Sequence, residues 1–160
     1  MAGSARGDAQ LKMLMRLASV LDTAGEGVLG KGAPAMMYQA GRDAGLEHRR
    51  PHEPVDNMEA AMAQVLTESK ELWMYEGWQE PGSDSLWSEN GERCSICMIF
   101  RRCPLMALSR SAGTTPGGIL CQVLHGYIAG SMEVLLEQRV EMKVGHCGPR
   151  ACKVQVELRS

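Results

Sequence analysis

No apolar run in this 160-residue chain approaches the ~20 residues needed to cross a bilayer. The opening residues, MAGSARGDAQ, hold no apolar signal-peptide core. A cytoplasmic location is therefore expected. An excess of one charge is missing too. The formal net charge is −2 at a pI near 6.1, which gives no electrostatic footprint for nucleic acid. Arg49-Arg50 is too short to supply one and reads as a cap on the loop after the second helix.

Nucleotide and catalytic signatures are also lacking. GEGVLGKG, residues 25–32, has glycines and a lysine but neither the Walker spacing nor the following Ser or Thr. No Ser–His–Asp order or carboxylate pair emerges from spacing. Glu71, Glu76 and Glu80 read as solvent-facing groups on strand edges. Aromatic residues are few, 4% of the chain, whereas Met is abundant at 12. Such a Met-rich interior packs adaptably and also suits irregular apolar ligands.

What is present is a globular composition, 44% hydrophobic and 22% charged, at the length of one domain. Six cysteines without export imply reduced thiols, either buried or bound to metal, rather than a disulfide framework.

Along the chain, residues 1–8 are small and polar and are expected to be loose, leaving one domain over 9–160. A helix over Ala9–Thr23 places Leu11, Leu14, Ala18 and Leu21 on one face with Leu17 beside them. The glycines from Gly25 onward end it. A second helix opens at Pro34 and stops at Gly45, and a third, beginning near Met58, is capped by Asp56 or Asn57. ELWMYEGW and SLWSEN are short aromatic-bearing segments around a turn. RCSICMIF is a strand with Cys94, Ile96, Met98 and Phe100 on one face. A last helix spans Gly117 to Leu136, with Thr115 as N-cap and Pro116 at its first position. Val140, Met142 and Val144, then Cys152, Val154, Val156 and Leu158, alternate with polar residues in two strands of a hairpin. Helices, strands, a helix and a hairpin in that order predict an α+β fold, an antiparallel sheet covered on one face by about four helices.

Two groups of thiols stand out. Cys121 opens the last helix, Cys147 lies in the hairpin turn and Cys152 points from the last strand toward the core. The tight turn draws these three together, and thiolates suit tetrahedral Zn²⁺. His146, beside Cys147, and His125, one helical turn after Cys121, are candidate fourth ligands. The alternative is that the thiols are small core hydrophobes. The second group is Cys94, Cys97 and Cys103, a Cys-x₂-Cys-x₅-Cys array for a metal or iron–sulfur cluster. It needs a break in the strand, because residues three apart on a strand face opposite ways. Gly126 and Gly130, four apart on the last helix, call for close approach of another element, a ligand or a second chain.

The ordered set resembles the 4-vinyl-reductase-type domain family over about residues 9–158. The matching features are VLGKGAPAMMYQAGRDAG with its Tyr38, Gly41 and Gly45, and the series Cys121, Gly126, Gly130, Cys147 and Cys152. The resemblance implies a small-molecule or hydrocarbon-binding domain, with a fold related to transport-complex (TRAPP) subunits and haem nitric-oxide sensors. It implies a homodimer and a zinc ion held by Cys121, Cys147 and Cys152. The family's glutamate ligand, three residues before the first hairpin cysteine, is Val144 here, and the loop between the two hairpin cysteines is short. FRRCPL also resembles a segment of thiazoline-carboxylate hydrolases.

The leading expectation is thus a stand-alone binding domain for an apolar or ring-shaped ligand, with Met36, Met37, Tyr38, Trp73, Met98, Phe100 and Leu124 as wall residues. The chain carries no DNA-binding or ATPase segment, so a whole transcription regulator is not expected. The alternatives are a metal-dependent enzyme, a tetrapyrrole-handling protein and an assembly subunit.

Overall fold

A computed structural model describes residues 2–49, 53–67, 74–79, 81–82, 87–90, 93–101, 103, 105–106, 117–148 and 150–159. Among the described residues, the α-helices α1 (Ala2–Leu29), α2 (Ala33–Arg49), α3 (Met58–Thr67) and α4 (Ile119–Leu136) accompany five strands. The strands are β1 (Met74–Gly77), β2 (Trp87–Asn90), β3 (Arg93–Arg101), β4 (Arg139–Cys147) and β5 (Ala151–Arg159). They form one antiparallel sheet in the order β1-β3-β5-β4, with β2 also on β3. β1 pairs with residues 98–101 of β3 and β2 with residues 93–96, so the two lie in series along one edge of β3. The architecture is the expected α+β one.

The core lies on one face of the sheet. Ile96, Met98 and Phe100 of β3, Val140 and Met142 of β4, and Cys152, Val154 and Val156 of β5 meet α3 and α4 there. Alternation puts charged residues on the other face, where Lys143 pairs with Glu157 and Arg159 with Glu141. α4 is long and apolar enough to cross a membrane by length and composition. It is instead the central core helix, with Ile128, Ala129, Met132 and Leu135 fully enclosed.

α2 and α4 pack backbone to backbone. A β-carbon on Gly41 or Gly45 would collide with the carbonyl oxygens of Val123 or Tyr127. One on Gly126 or Gly130 would collide with those of Tyr38 or Arg42. Close packing of two helices therefore accounts for the four glycines, and Gly45 is an interior contact, not a stop. Deep in this interface Arg42 binds Glu133 in a bidentate pair. Glu133 also accepts the Val140 N–H at 3.0 Å, tying both helices to β4.

Other expectations need correction. α1 begins at Ala2 and runs through Gly25 and Gly27 to Leu29, so the 1–8 segment is helical from its second residue. Gly25 is no breaker because a β-carbon there would strike Ile119 of α4. The Asp22 carboxylate accepts the Leu120 N–H at 3.0 Å, satisfying one of the free donors at the start of α4. α4 begins at Ile119, after a left-handed Gly117, and Gly118 is its N-cap without a side-chain bond. Asn57 does cap α3, its Oδ1 accepting the Ala60 N–H at 2.9 Å. Glu76 is exposed and pairs with Arg101. Arg49 ends α2 as a buried residue rather than a loop cap. Arg50, Glu71, Trp73, Glu80, Thr115 and Pro116 lie outside the described residues, as do the side chains of Leu11 and Cys94.

Candidate functional site

The first candidate site is the end of the sheet where the β4–β5 hairpin turns. Cys147 and Cys152 are register partners there. Their sulfurs approach to 2.9 Å without forming a disulfide. The Cys152 thiol also meets the Met106 sulfur at 3.6 Å. Cys121 sits in the first turn of α4, its N–H donating to the Gly118 carbonyl at 3.0 Å. A β-carbon on Gly117 would stand 3.9 Å from the Cys147 sulfur, so this glycine lies between the two cysteines. The hairpin brings the Cys147 and Cys152 thiols into contact, while Cys121 stands at the helix start beyond Gly117.

Burial makes Cys121 and Cys152 poor acids. It pushes Cys121 up to about 11, and the nearby Cys147 and Cys103 thiols add to the effect. Cys152 is raised by burial first and then by its bond to Cys147. Among the described residues, no three His, Cys, Asp or Glu side chains stand close enough to hold a metal ion as placed. The donor chemistry suits a soft ion, but binding requires the sulfurs to move and lose protons.

Among the described residues, neither histidine forms a metal-holding group with the hairpin sulfurs. His146 is exposed, with Nε2 3.2 Å from where a β-carbon of Gly148 would be. His125 is buried against Phe100, with ring centroids 6.5 Å apart, and its Nδ1 has no hydrogen-bond partner among the described residues. Desolvation lowers its pKa to about 4, so it is neutral at pH 7. Val144 is a regular strand residue opposite Val154, followed by a bulge before His146.

For the Cys94-Cys97-Cys103 group the backbone of β3 is described, but not the Cys94 side chain. β3 runs unbroken through the first two, with Cys94 opposite Leu158 and Cys97 opposite Gln155. The break that a shared ion needs is not there. Cys103 instead enters the core beyond the end of β3, and the Cys147 thiol contributes to its raised pKa after burial.

The second candidate site is a cavity of about 140 Å³ between α3 and the β1–β3 edge. Met58, Glu59, Met62, Ala63, Tyr75, Gly77, Ile96 and Met98 line it. Of the wall residues expected from the sequence that fall among the described residues, Met98 alone lines it. Phe100 lies one step away, its ring 6.5 Å from that of Tyr75. Met36 is exposed, and the Tyr38 hydroxyl is engaged, accepting the Met142 N–H at 2.9 Å. Met37 is half-buried, and Leu124 packs on the core. α3 contributes Met58, Met62 and Ala63, none of which is among the wall residues expected from the sequence.

No family-wide sequence profile matches the chain, and no curated protein matches it. Among solved structures, the phenol-responsive sensory domain of the transcription activator PoxR, crystallised with phenol, has the same fold. The TM-score is 0.60 at 12% identity, over 90% of this chain and 74% of that one. The likeness is one of fold.

Proposed function

We propose that this protein is a small-molecule-binding domain whose ligand is a single-ring apolar compound, held between α3 and the sheet. The observation that carries the reading is the size and chemistry of the cavity. About 140 Å³ of largely Met-lined space is close to the ~150 Å³ of an engineered apolar cavity that takes up benzene. A four-ring tetrapyrrole does not fit that volume, which favours the single ring over the tetrapyrrole alternative. Tyr75 and Glu59 supply the few polar atoms at the wall. The shared fold with a phenol-responsive domain is consistent with this reading.

Isothermal titration with phenol and toluene tests it. Saturable binding that is lost in Met62→Trp, with an unchanged circular dichroism spectrum, supports the reading. Absence of binding to the wild type, or equal binding to Met62→Trp, overturns it.

Two finer features belong to the same proposal. Cys121, Cys147 and Cys152 hold a structural zinc ion at the hairpin end of the sheet, as the resemblance implies. The reduced state of the described cysteines suits a cytoplasmic setting. The protein also forms a homodimer through α1. Met13, Leu14, Leu17, Val20, Leu21 and Val28 leave large apolar side chains exposed on this helix. Their spacings of three, four and seven residues are those of a helix–helix seam, which a second copy of α1 complements.

A further inference from the structure

We propose that Cys147 and Cys152 form a thiol–disulfide exchange site at the tip of the β4–β5 hairpin, where a small disulfide of the glutathione type oxidises them to a cross-strand bond. Only the two sulfurs that touch are involved, so the site does not depend on the zinc reading.

The turn sets the geometry. Four residues, 148–151, separate the two cysteines. The Gly148 N–H donates to the Ala151 carbonyl at 2.9 Å, which makes those two residues a hydrogen-bonded pair. Pairs alternate along an antiparallel ladder, so the neighbouring pair, Cys147 and Cys152, is a non-hydrogen-bonded one. Such pairs bring α-carbons to roughly 4.5 Å and set their side chains closest together. That separation falls within the roughly 4.4–6.8 Å that a disulfide spans. The two sulfurs already stand 2.9 Å apart, so closing to a bond of about 2.0 Å needs side-chain rotation and leaves the strand register as it is.

Cys152 is held in this position from behind. Its sulfur rests 3.6 Å from the Met106 sulfur, and its register partner on the other side is Phe100 of β3. The two cysteines differ in access. Cys152 is 6% exposed and belongs to the core, whereas Cys147 is half-buried at the end of the sheet. A reagent from solvent therefore meets Cys147 first, and Cys152 is placed to resolve the product. An accessible thiol with a second one poised beside it is the arrangement of redox-sensing cysteines.

The exchange runs in two steps. The Cys147 thiol gives up its proton, and its sulfur attacks one sulfur of the small disulfide. The other sulfur of that disulfide leaves and takes up the proton. The Cys152 sulfur then attacks Cys147 in the mixed disulfide, and its own proton goes to the second departing sulfur. The two protein sulfurs lose two electrons in all. The small disulfide gains them and leaves as two thiols, and an excess of thiol reverses both steps. The second step is intramolecular between groups already in contact, so the mixed disulfide does not accumulate.

The test uses the full chain, reduced and kept in chelator so that no metal occupies the sulfurs, then equilibrated with mixtures of reduced and oxidised glutathione. Remaining thiols are alkylated, and the denatured chain is digested with trypsin without reductant. Trypsin cuts after Lys143, Arg150 and Lys153, so it separates the two cysteines unless they are bonded. The expected product is fragment 144–150 joined to fragment 151–153, released by dithiothreitol. The linked form should exceed glutathione-modified protein by at least about tenfold. Cys152→Ser should trap glutathione on Cys147, Cys147→Ser should leave Cys152 unmodified, and Cys97→Ser should link as the wild type does. Mapping of the unmutated chain requires no variant to fold, and it can overturn the proposal by itself. Fragments that stay separate in oxidised glutathione alone, or glutathione that accumulates on Cys147 without the bond, would do so. A bond from Cys147 to Cys103 or Cys121 in place of Cys152 would do so as well.

Discussion

Arg42 and Glu133, 91 residues apart in sequence, meet in a two-bonded pair, with Nε donating to Oε1 at 3.0 Å and Nη2 to Oε2. The Glu133 side chain is only 6% exposed, so water does little to screen the contact. Its remaining capacity goes to the Val140 N–H and to Arg139. Glu133→Ala would strand the Arg42 charge and an orphaned Val140 donor together. The expected loss is about 3–5 kcal/mol, read as a fall in the urea midpoint. Glu133→Gln should lose less because it can still accept from Val140.

The glycine contacts give a prediction of opposite signs. Gly126→Ala puts a methyl group into the Tyr38 carbonyl of the facing helix. The helix-propensity gain of about 1 kcal/mol is then overwhelmed, and a net destabilisation of about 2–4 kcal/mol is expected. Gly27 is also helical but has nothing within 4 Å of a β-carbon. Gly27→Ala should therefore stabilise by about 0.5–1 kcal/mol. Thermal melts of the two variants beside the wild type check both signs.

His125 sets an acid-side dependence of stability. Its pKa is lowered from 6.5 to about 4 by burial, so below pH 6.5 the unfolded chain takes up a proton that the folded one refuses. Unfolding free energy should be unaffected by this group above pH 6.5. It should fall as pH drops from there to about 4, by on the order of 3 kcal/mol in all. His125→Leu should flatten that part of the profile. A profile equally steep in the variant would count against the assignment.

The α1 stripe predicts the oligomeric state. Val28 is 83% exposed and Leu21 67%, far more than an apolar residue in a finished interface. Light scattering should give a dimer for the wild type and a monomer for Leu17→Lys/Leu21→Lys. The same charges should leave ring binding intact, because α1 takes no part in lining the cavity.

Much of the architecture was legible because it rests on local periodicity. Val140, Met142, Cys152, Val154 and Val156 alternate with charged or polar neighbours, and strand geometry turns that alternation into one buried face. Asn57 could be read as a cap because its bond spans only three residues. Gly41, Gly45, Gly126 and Gly130 announced a close approach, since a helix tolerates such residues only where something fills the missing side chain. The hairpin also foretold that Cys147 and Cys152 would meet.

What the tertiary structure alone decided concerns partners distant in sequence. Asp22 capping α4, Gly25 admitting Ile119 and Arg42 finding Glu133 are invisible to any local pattern. For the same reason Gly25 looked like a terminator, although it is a packing contact. The apolar side of α1 could be recognised, but not that Leu17 and Leu21 would be left in solvent, because only the packed body shows which face it covers. Cys103 is the sharpest case. Spacing grouped it with Cys94 and Cys97, whereas β3 runs unbroken through those two and Cys103 is buried in the core beyond the strand's end. Periodicity fixes which side of an element is buried; only the packing of one element on another decides which buried groups face each other.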